Sequence, residues 1–223
     1  FRRVLFRSNV TPDSFSDGGK WNSNTLAVSH ATDMIKDGAH LIDVGAESTR
    51  PGHVALTPEE ETKRLMQFLP DVLKVSMVPV SVDSYHYETM ETALKAGAHI
   101  VNDIWGFQYD DGSMAKTAAA FDVPVILMHN QETEVYGKDM MDDLKHFFDK
   151  SIEIALSAGV RAENIILDPG IGFGKNAEQN MEILKRLDEL TLAFPCPWLL
   201  GVSRKRFIGT ILGTDADERD EGT

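Results

Sequence analysis

A motif repeats along this chain, and its spacing restricts the fold more than any other feature. Lys36-Asp37-Gly38-Ala39-His40-Leu41-Ile42-Asp43 returns as Lys95-Ala96-Gly97-Ala98-His99-Ile100-Val101-Asn102. It returns loosely again at Ser157-Ala158-Gly159, leading into Ile165-Ile166-Leu167-Asp168. Each copy reads as a helix stopped by glycine, a short loop, a buried strand and a polar residue at the strand's end. Copies roughly 60 residues apart correspond to two strand–helix units of about 31 residues, the unit length of a (β/α)8 barrel.

The segments between the copies agree with that reading. Apolar and small residues at helical spacing predict a helix over 24–37, with Gly38 just past its end. Thr57, Pro58 and Glu60 form the start of a second helix, with Thr57 as cap and Glu60 closing a capping box, running to about Lys74. Further helices are expected over 85–96, 113–120, 139–158 and 176–194. Strands are expected over 41–45, 78–83, 100–102, 123–129, 165–168 and 198–202, with one more before Asn9. They are short and continuously apolar, as in a parallel sheet covered by helices. Seven strands are one fewer than a closed barrel needs.

Two expectations concern the ends. Residues 1–8 carry three arginines among apolar residues and read as a stretch foreign to the fold, leaving 9–223 as one barrel domain. Residues 218–223 read as the start of the helix before an eighth strand, so the last strand and helix are expected to be missing. Such an open piece is expected to be poorly stable and to turn over weakly or not at all.

Charge and cysteine content narrow the function classes. The formal net charge is −13 over 223 residues, which argues against a nucleic-acid or anionic-membrane partner. Any anionic substrate has to be met by local cations. One cysteine, Cys196, allows no internal disulfide and reads as a reducing, cytoplasmic setting. No apolar run approaches the ~18 residues of a membrane helix.

In a barrel of this kind the chemistry gathers at the C-terminal ends of the strands. Those ends carry Asn9, Asp43, Asp83, Asn102 with Asp103, Met128 with His129, Asp168, and Ser203 with Lys205. Singly, each reads as a turn or cap residue. Jointly, acids and an amide converging on one mouth call for a polar ligand. The loop Asn9-Val10-Thr11-Pro12-Asp13-Ser14-Phe15-Ser16-Asp17-Gly18-Gly19 is too polar for a strand and too rich in Pro and Gly for a helix. With the single aromatic Phe15 it reads either as a lid or as a plain surface connection. The run Asp168-Pro169-Gly170-Ile171-Gly172-Phe173-Gly174-Lys175 is neither a Walker motif nor GxGxxG.

Four motifs in order carry a resemblance. The loop 9–19, the run Glu47-Ser48-Thr49-Arg50-Pro51-Gly52, the run 168–175 and Gly201-Val202-Ser203-Arg204-Lys205-Arg206-Phe207-Ile208-Gly209 resemble those of the dihydropteroate synthase family, pterin-binding TIM barrels. The resemblance implies condensation of (7,8-dihydropterin-6-yl)methyl diphosphate with 4-aminobenzoate to give 7,8-dihydropteroate and pyrophosphate, a step of folate biosynthesis and the target of sulfonamides. It implies a pterin grip by Asp83, Asn102, Asp168 and Lys205, with Met128 and Phe173 as apolar faces. Thr49 and Arg50 would meet pyrophosphate or aminobenzoate, Gly201 and Ser203 would line the site, and Phe15 would close over it. It implies Mg²⁺ on Asn9 and a homodimer when the chain is full length. An Arg and a His that the family carries at its eighth strand lie beyond this sequence. The rival readings are a pterin-binding methyltransferase, a Schiff-base enzyme using Lys205, and a domain that binds pterin without turnover.

Overall fold

The computed structural model describes residues 23–46, 56–203 and 205–213. Five strands form one parallel sheet: β1 (Ile42–Gly45), β2 (Val80–Asp83), β3 (Ile100–Asp103), β4 (Val125–Met128) and β5 (Ile165–Asp168). Their order across the sheet is the order in sequence, β1-β2-β3-β4-β5. A doubly wound sheet reverses direction part-way, and this one does not. Crossovers that always step the same way lay the helices on one face of the sheet. The other face is then left to close on itself, as in a barrel.

Helix α1 (Ser23–Lys36) precedes β1, and between the strands lie α2 (Pro58–Leu65), α3 (Leu69–Val75), α4 (Tyr87–Lys95), α5 (Ser113–Phe121) and α6 (Met140–Ala158). After β5 come α7 (Ala177–Lys185), α8 (Leu187–Ala193) and α9 (Arg206–Leu212). The capping box of α2 is as read: the Glu60 amide donates to Thr57 Oγ1 at 3.2 Å, and the Thr57 amide to Glu60 Oε2 at 3.3 Å. Gly38, Gly97 and Gly159 end their helices with positive φ, so the repeated glycine is there for its backbone freedom.

Three expectations need correction. The helix expected from Pro58 to about Lys74 is two helices that part at Met66–Phe68, because Pro70 starts a new one and cannot donate back into the old. The helix expected over 176–194 likewise breaks at Arg186, whose φ of −109° leaves the helical range. The strand expected over 198–202 is reduced to a single parallel bridge from Trp198 to Leu167. Among the described residues the sheet therefore has five strands and one bridged residue. The strand expected before Asn9, and the helix start expected at 218–223, lie outside them.

Strand alternation sorts the side chains. Ile42, Val44, Val80, Val82, Val101, Val125, Leu127, Ile165 and Leu167 join one large core with the helices. Ile100, Ile126 and Ile166 belong to a second, small cluster with Leu41 and Leu199, on the face the helices do not cover.

Candidate active site

The helix-free face carries its polar groups where the strands end. Asp83 stands opposite Asn102 in the β2–β3 register, and Met128 opposite Asp168 in β4–β5. The side chains of Asp83, Asn102, Met128 and Asp168 are all buried. Asn102, Met128 and Asp168 each lie two residues from Ile100, Ile126 or Ile166, and Asp83 stands beside Asn102 across the sheet, so alternation turns all four to the same face.

Two clusters organise this rim. In the first, Asp43 of β1 accepts hydrogen bonds from the Ser81 hydroxyl at 2.5 Å and from the Asn102 amide at 3.1 and 3.3 Å. All three side chains are buried, so each bond replaces water that the groups have lost. The Asn102 amide hydrogens turned to Asp43 fix the plane of its amide and aim the carbonyl oxygen elsewhere. The sequence reading put Asp43 at a strand end but gave it no role. The signal was present: the repeat aligns Asp43 with Asn102, and these two residues touch.

In the second cluster, β5 runs into a loop that folds back over its own end. The Gly170 amide donates to Asp168 Oδ1 at 2.8 Å. Gly170 has φ +68°, and a Cβ there would overlap the carbonyl oxygen of His129, so the close approach of this loop to the end of β4 requires glycine. Lys205 reaches in from the start of α9. Its Nζ donates to the carbonyl of Ile171 and stands 4.6 Å from the centre of the Phe173 ring. A Cβ on Gly172 would sit 2.8 Å from Lys205 Cδ, and one on Gly201 would be 3.8 Å from Lys205 Nζ and 4.0 Å from Asp168 Oδ2. Asp168, Phe173, Gly201 and Lys205 are therefore neighbours, with Met128 beside Asp168.

Behind the loop lies a buried pair that sequence reading missed as a unit. Lys175 Nζ is 2.9 Å from His129 Nδ1 and donates to the carbonyls of Phe173 at 2.9 Å and Gly170 at 3.0 Å. Burial pushes Lys175 down to about 7, against the pull of the Asp168 carboxylate. Burial, helped by the Lys175 charge, pushes His129 down to about 2, so the imidazole is neutral.

The other expected residues divide. Ser203 is exposed on a turn before α9. Asn9, Phe15, Thr49 and Arg50 lie outside the described residues. Asp103, grouped with Asn102 in the sequence reading, shares the helix-facing side with Val101. Its carboxylate accepts from the amides of Trp105 at 2.8 Å and Phe107 at 3.0 Å, and burial raises it from 3.8 to about 7. It braces a turn and does not face the rim. Among the described residues no three His, Cys, Asp or Glu side chains gather as a metal centre. None of the described helices is long and apolar enough to cross a membrane.

Comparison with known proteins agrees with this geometry. The model of the family described as pterin binding enzyme matches residues 6–223. A dihydropteroate synthase of Clostridium beijerinckii is 49% identical over 216 residues, covering 96% of this chain and 79% of that protein. The structure of a Clostridium difficile dihydropteroate synthase in the presence of pteroic acid superposes with a TM-score of 0.94 at 46% identity, covering 100% of this chain and 84% of that one. That of the Xanthomonas albilineans enzyme with 4-aminobenzoic acid superposes at 0.92 with 37% identity, covering 99% and 80%. Sequence and fold thus point the same way: this chain belongs to the pterin-binding enzymes, among the dihydropteroate synthases.

Proposed function

We propose that the chain joins 4-aminobenzoate to (7,8-dihydropterin-6-yl)methyl diphosphate, giving 7,8-dihydropteroate and pyrophosphate. The observation that carries this reading is the approach of Asp168 and Lys205 to one spot at Gly201, with Lys205 over the Phe173 ring, on the same rim as the Asp43–Asn102 cluster. A pterin is flat, with donors and acceptors along its edge. Asp83 and Asp168 accept from its amino and ring N–H groups, Asn102 accepts through its oxygen, and Lys205 donates to a ring nitrogen or carbonyl. Met128 and Phe173 cover its faces.

In the reaction the bond between the methylene carbon and the diphosphate oxygen breaks, and the arylamine nitrogen bonds to that carbon and releases a proton. As the diphosphate leaves, positive charge spreads into the pterin. Carboxylates held in place before the reaction stabilise that charge without reorganising. Nothing in this scheme needs a covalent enzyme intermediate, so catalysis is positioning and charge stabilisation. Thr49, Arg50, Ser203 and Phe15 complete the proposal at the diphosphate and aminobenzoate end. Mg²⁺ is included with Asn9 as its protein ligand, where it would neutralise diphosphate charge. The donor set around Asn9 lies outside the described residues, and no step above depends on it. A single barrel domain over 9–223, a homodimer in the full-length protein and a cytoplasmic setting belong to the same reading.

The test is turnover. The chain incubated with both substrates releases pyrophosphate and forms dihydropteroate, each only when the other substrate is present. Calorimetric binding of a pterin without product formation would reduce the reading to a binding domain, and no pterin binding would sink it.

A further inference from the structure

Lys175 is buried, yet nothing in the proposed chemistry uses it. A buried ammonium costs several kcal/mol unless its hydrogens are met. Its three hydrogens meet three close acceptors, Gly170 O, Phe173 O and His129 Nδ1, and the His129 carbonyl lies at a longer 3.4 Å. The acceptors belong to two elements. Two are on the loop after β5, and the third is on the residue that follows β4. One side chain therefore ties the loop to its neighbouring strand end.

Both loop residues it holds carry groups of the rim. Gly170 accepts from Lys175 through its carbonyl and donates through its amide to Asp168 Oδ1. Phe173 accepts through its carbonyl, and its ring lies under Lys205 Nζ. Other bonds hold the rest of the loop: Tyr136 donates to the Gly174 carbonyl at 3.0 Å, the Gly172 amide donates to Asn180 at 2.7 Å, and Lys205 donates to the Ile171 carbonyl. The Phe173 amide donates to the Gly170 carbonyl at 3.1 Å and closes the turn on itself, whereas the Lys175 bonds tie both of these residues to the end of β4. The arrangement also survives loss of a proton. A neutral Lys175 keeps two donated bonds and accepts the third if His129 carries its hydrogen on Nδ1.

We propose that Lys175 is a positioning residue for the pterin, a buried clamp that sets Asp168 and Phe173 in place by holding the Gly170 and Phe173 carbonyls against His129. The inference rests on the reading of this rim as a pterin site. Taking the ammonium from the Phe173 carbonyl and the imidazole, and leaving the Gly170 carbonyl with the Phe173 amide alone, frees the loop from the end of β4, and the rim groups move with it.

Calorimetry with 6-hydroxymethylpterin tests the clamp in the full chain and separates it from the reading beneath it. If the wild-type chain does not bind the pterin, the site reading falls and the clamp with it. If it binds, Lys175→Met is expected to weaken binding 30-fold or more. His129→Leu keeps the lysine and removes one anchor, and is expected to weaken binding three- to tenfold. Leu65→Ala, a core change in α2, serves as a destabilised control and leaves binding within twofold. In turnover, KM for the pterin diphosphate rises with Lys175→Met while KM for 4-aminobenzoate stays within threefold. Pterin binding by Lys175→Met within threefold of wild type overturns the proposal. So does weakening no greater than that of Leu65→Ala. Should Lys175→Met fail to fold, His129→Leu decides: unchanged binding overturns the clamp, and the three- to tenfold loss supports it.

Discussion

The two faces of the same five strands obey different rules. Toward the helices every strand presents Val, Ile or Leu, packed with side chains of the surrounding helices. The acid on that side, Asp103, is spent on two backbone amides of the turn that follows it. Toward the helix-free side a small apolar cluster fills the middle, and acids, an amide and a lysine crowd the strand ends. Stability is drawn from one face and recognition from the other, so changes on the two faces should fail in different assays.

The largest expected effect lies on the recognition face. Asp168→Asn keeps an oxygen for the Gly170 amide and removes only the charge. Turnover should fall by about 10²–10³, the usual cost of losing one preorganised electrostatic contact, with stability unchanged within about 1 kcal/mol. A normal rate would remove Asp168 from the chemistry. Next comes the opposite face. Leu127 of β4 is fully buried toward the helices. Leu127→Ala should cost about 3 kcal/mol in denaturant unfolding, through lost burial and a cavity. The fraction still folded should bind pterin as the wild type does. Weaker binding there would show that the faces are coupled.

The face division was legible in outline but not in detail. The repeated helix–glycine–strand unit announced a wound parallel sheet because glycine stops and apolar strands are local features. Strand ends announced a polar rim. The strand over 198–202 shrank to one bridge because pairing depends on what lies across the sheet, which local pattern does not carry. Asp103 was grouped with its neighbour Asn102 although alternation sends adjacent residues to opposite faces. The Lys175–His129 pair joins positions 46 apart, and a lysine after a glycine-rich run reads as solvated until the fold buries it.

Asp43 probes whether the rim is held from within the sheet. Asp43→Ala leaves the Ser81 hydroxyl and the Asn102 amide hydrogens without the carboxylate that accepts them. A loss of about 1–3 kcal/mol in stability is expected, from buried donors left unmet. Pterin affinity should drop about tenfold as Asn102 turns, a step of roughly 1.4 kcal/mol. Loss of stability with intact affinity would leave Asp43 as part of the scaffold alone.

The smallest effect is a pH dependence on the stability face. The folded protein holds the Asp103 proton to about pH 7, whereas the unfolded chain gives it up near 3.8. Folding therefore takes up a proton between those values, and Asp103 makes stability fall as pH rises through that window. Glu61, also raised by burial, adds in the same direction. Lys175 acts oppositely above it: the folded form loses its proton at about 7 and the unfolded chain near 10.5, so stability rises with pH across that range. Asp103→Asn should remove about 1 kcal/mol of the decline between pH 6 and pH 7, while the Glu61 part and the rise above pH 8 persist. Equilibrium unfolding at those pH values measures both limbs. A decline unchanged in Asp103→Asn would mean that Asp103 is ionised in the fold, its charge carried by the Trp105 and Phe107 amides.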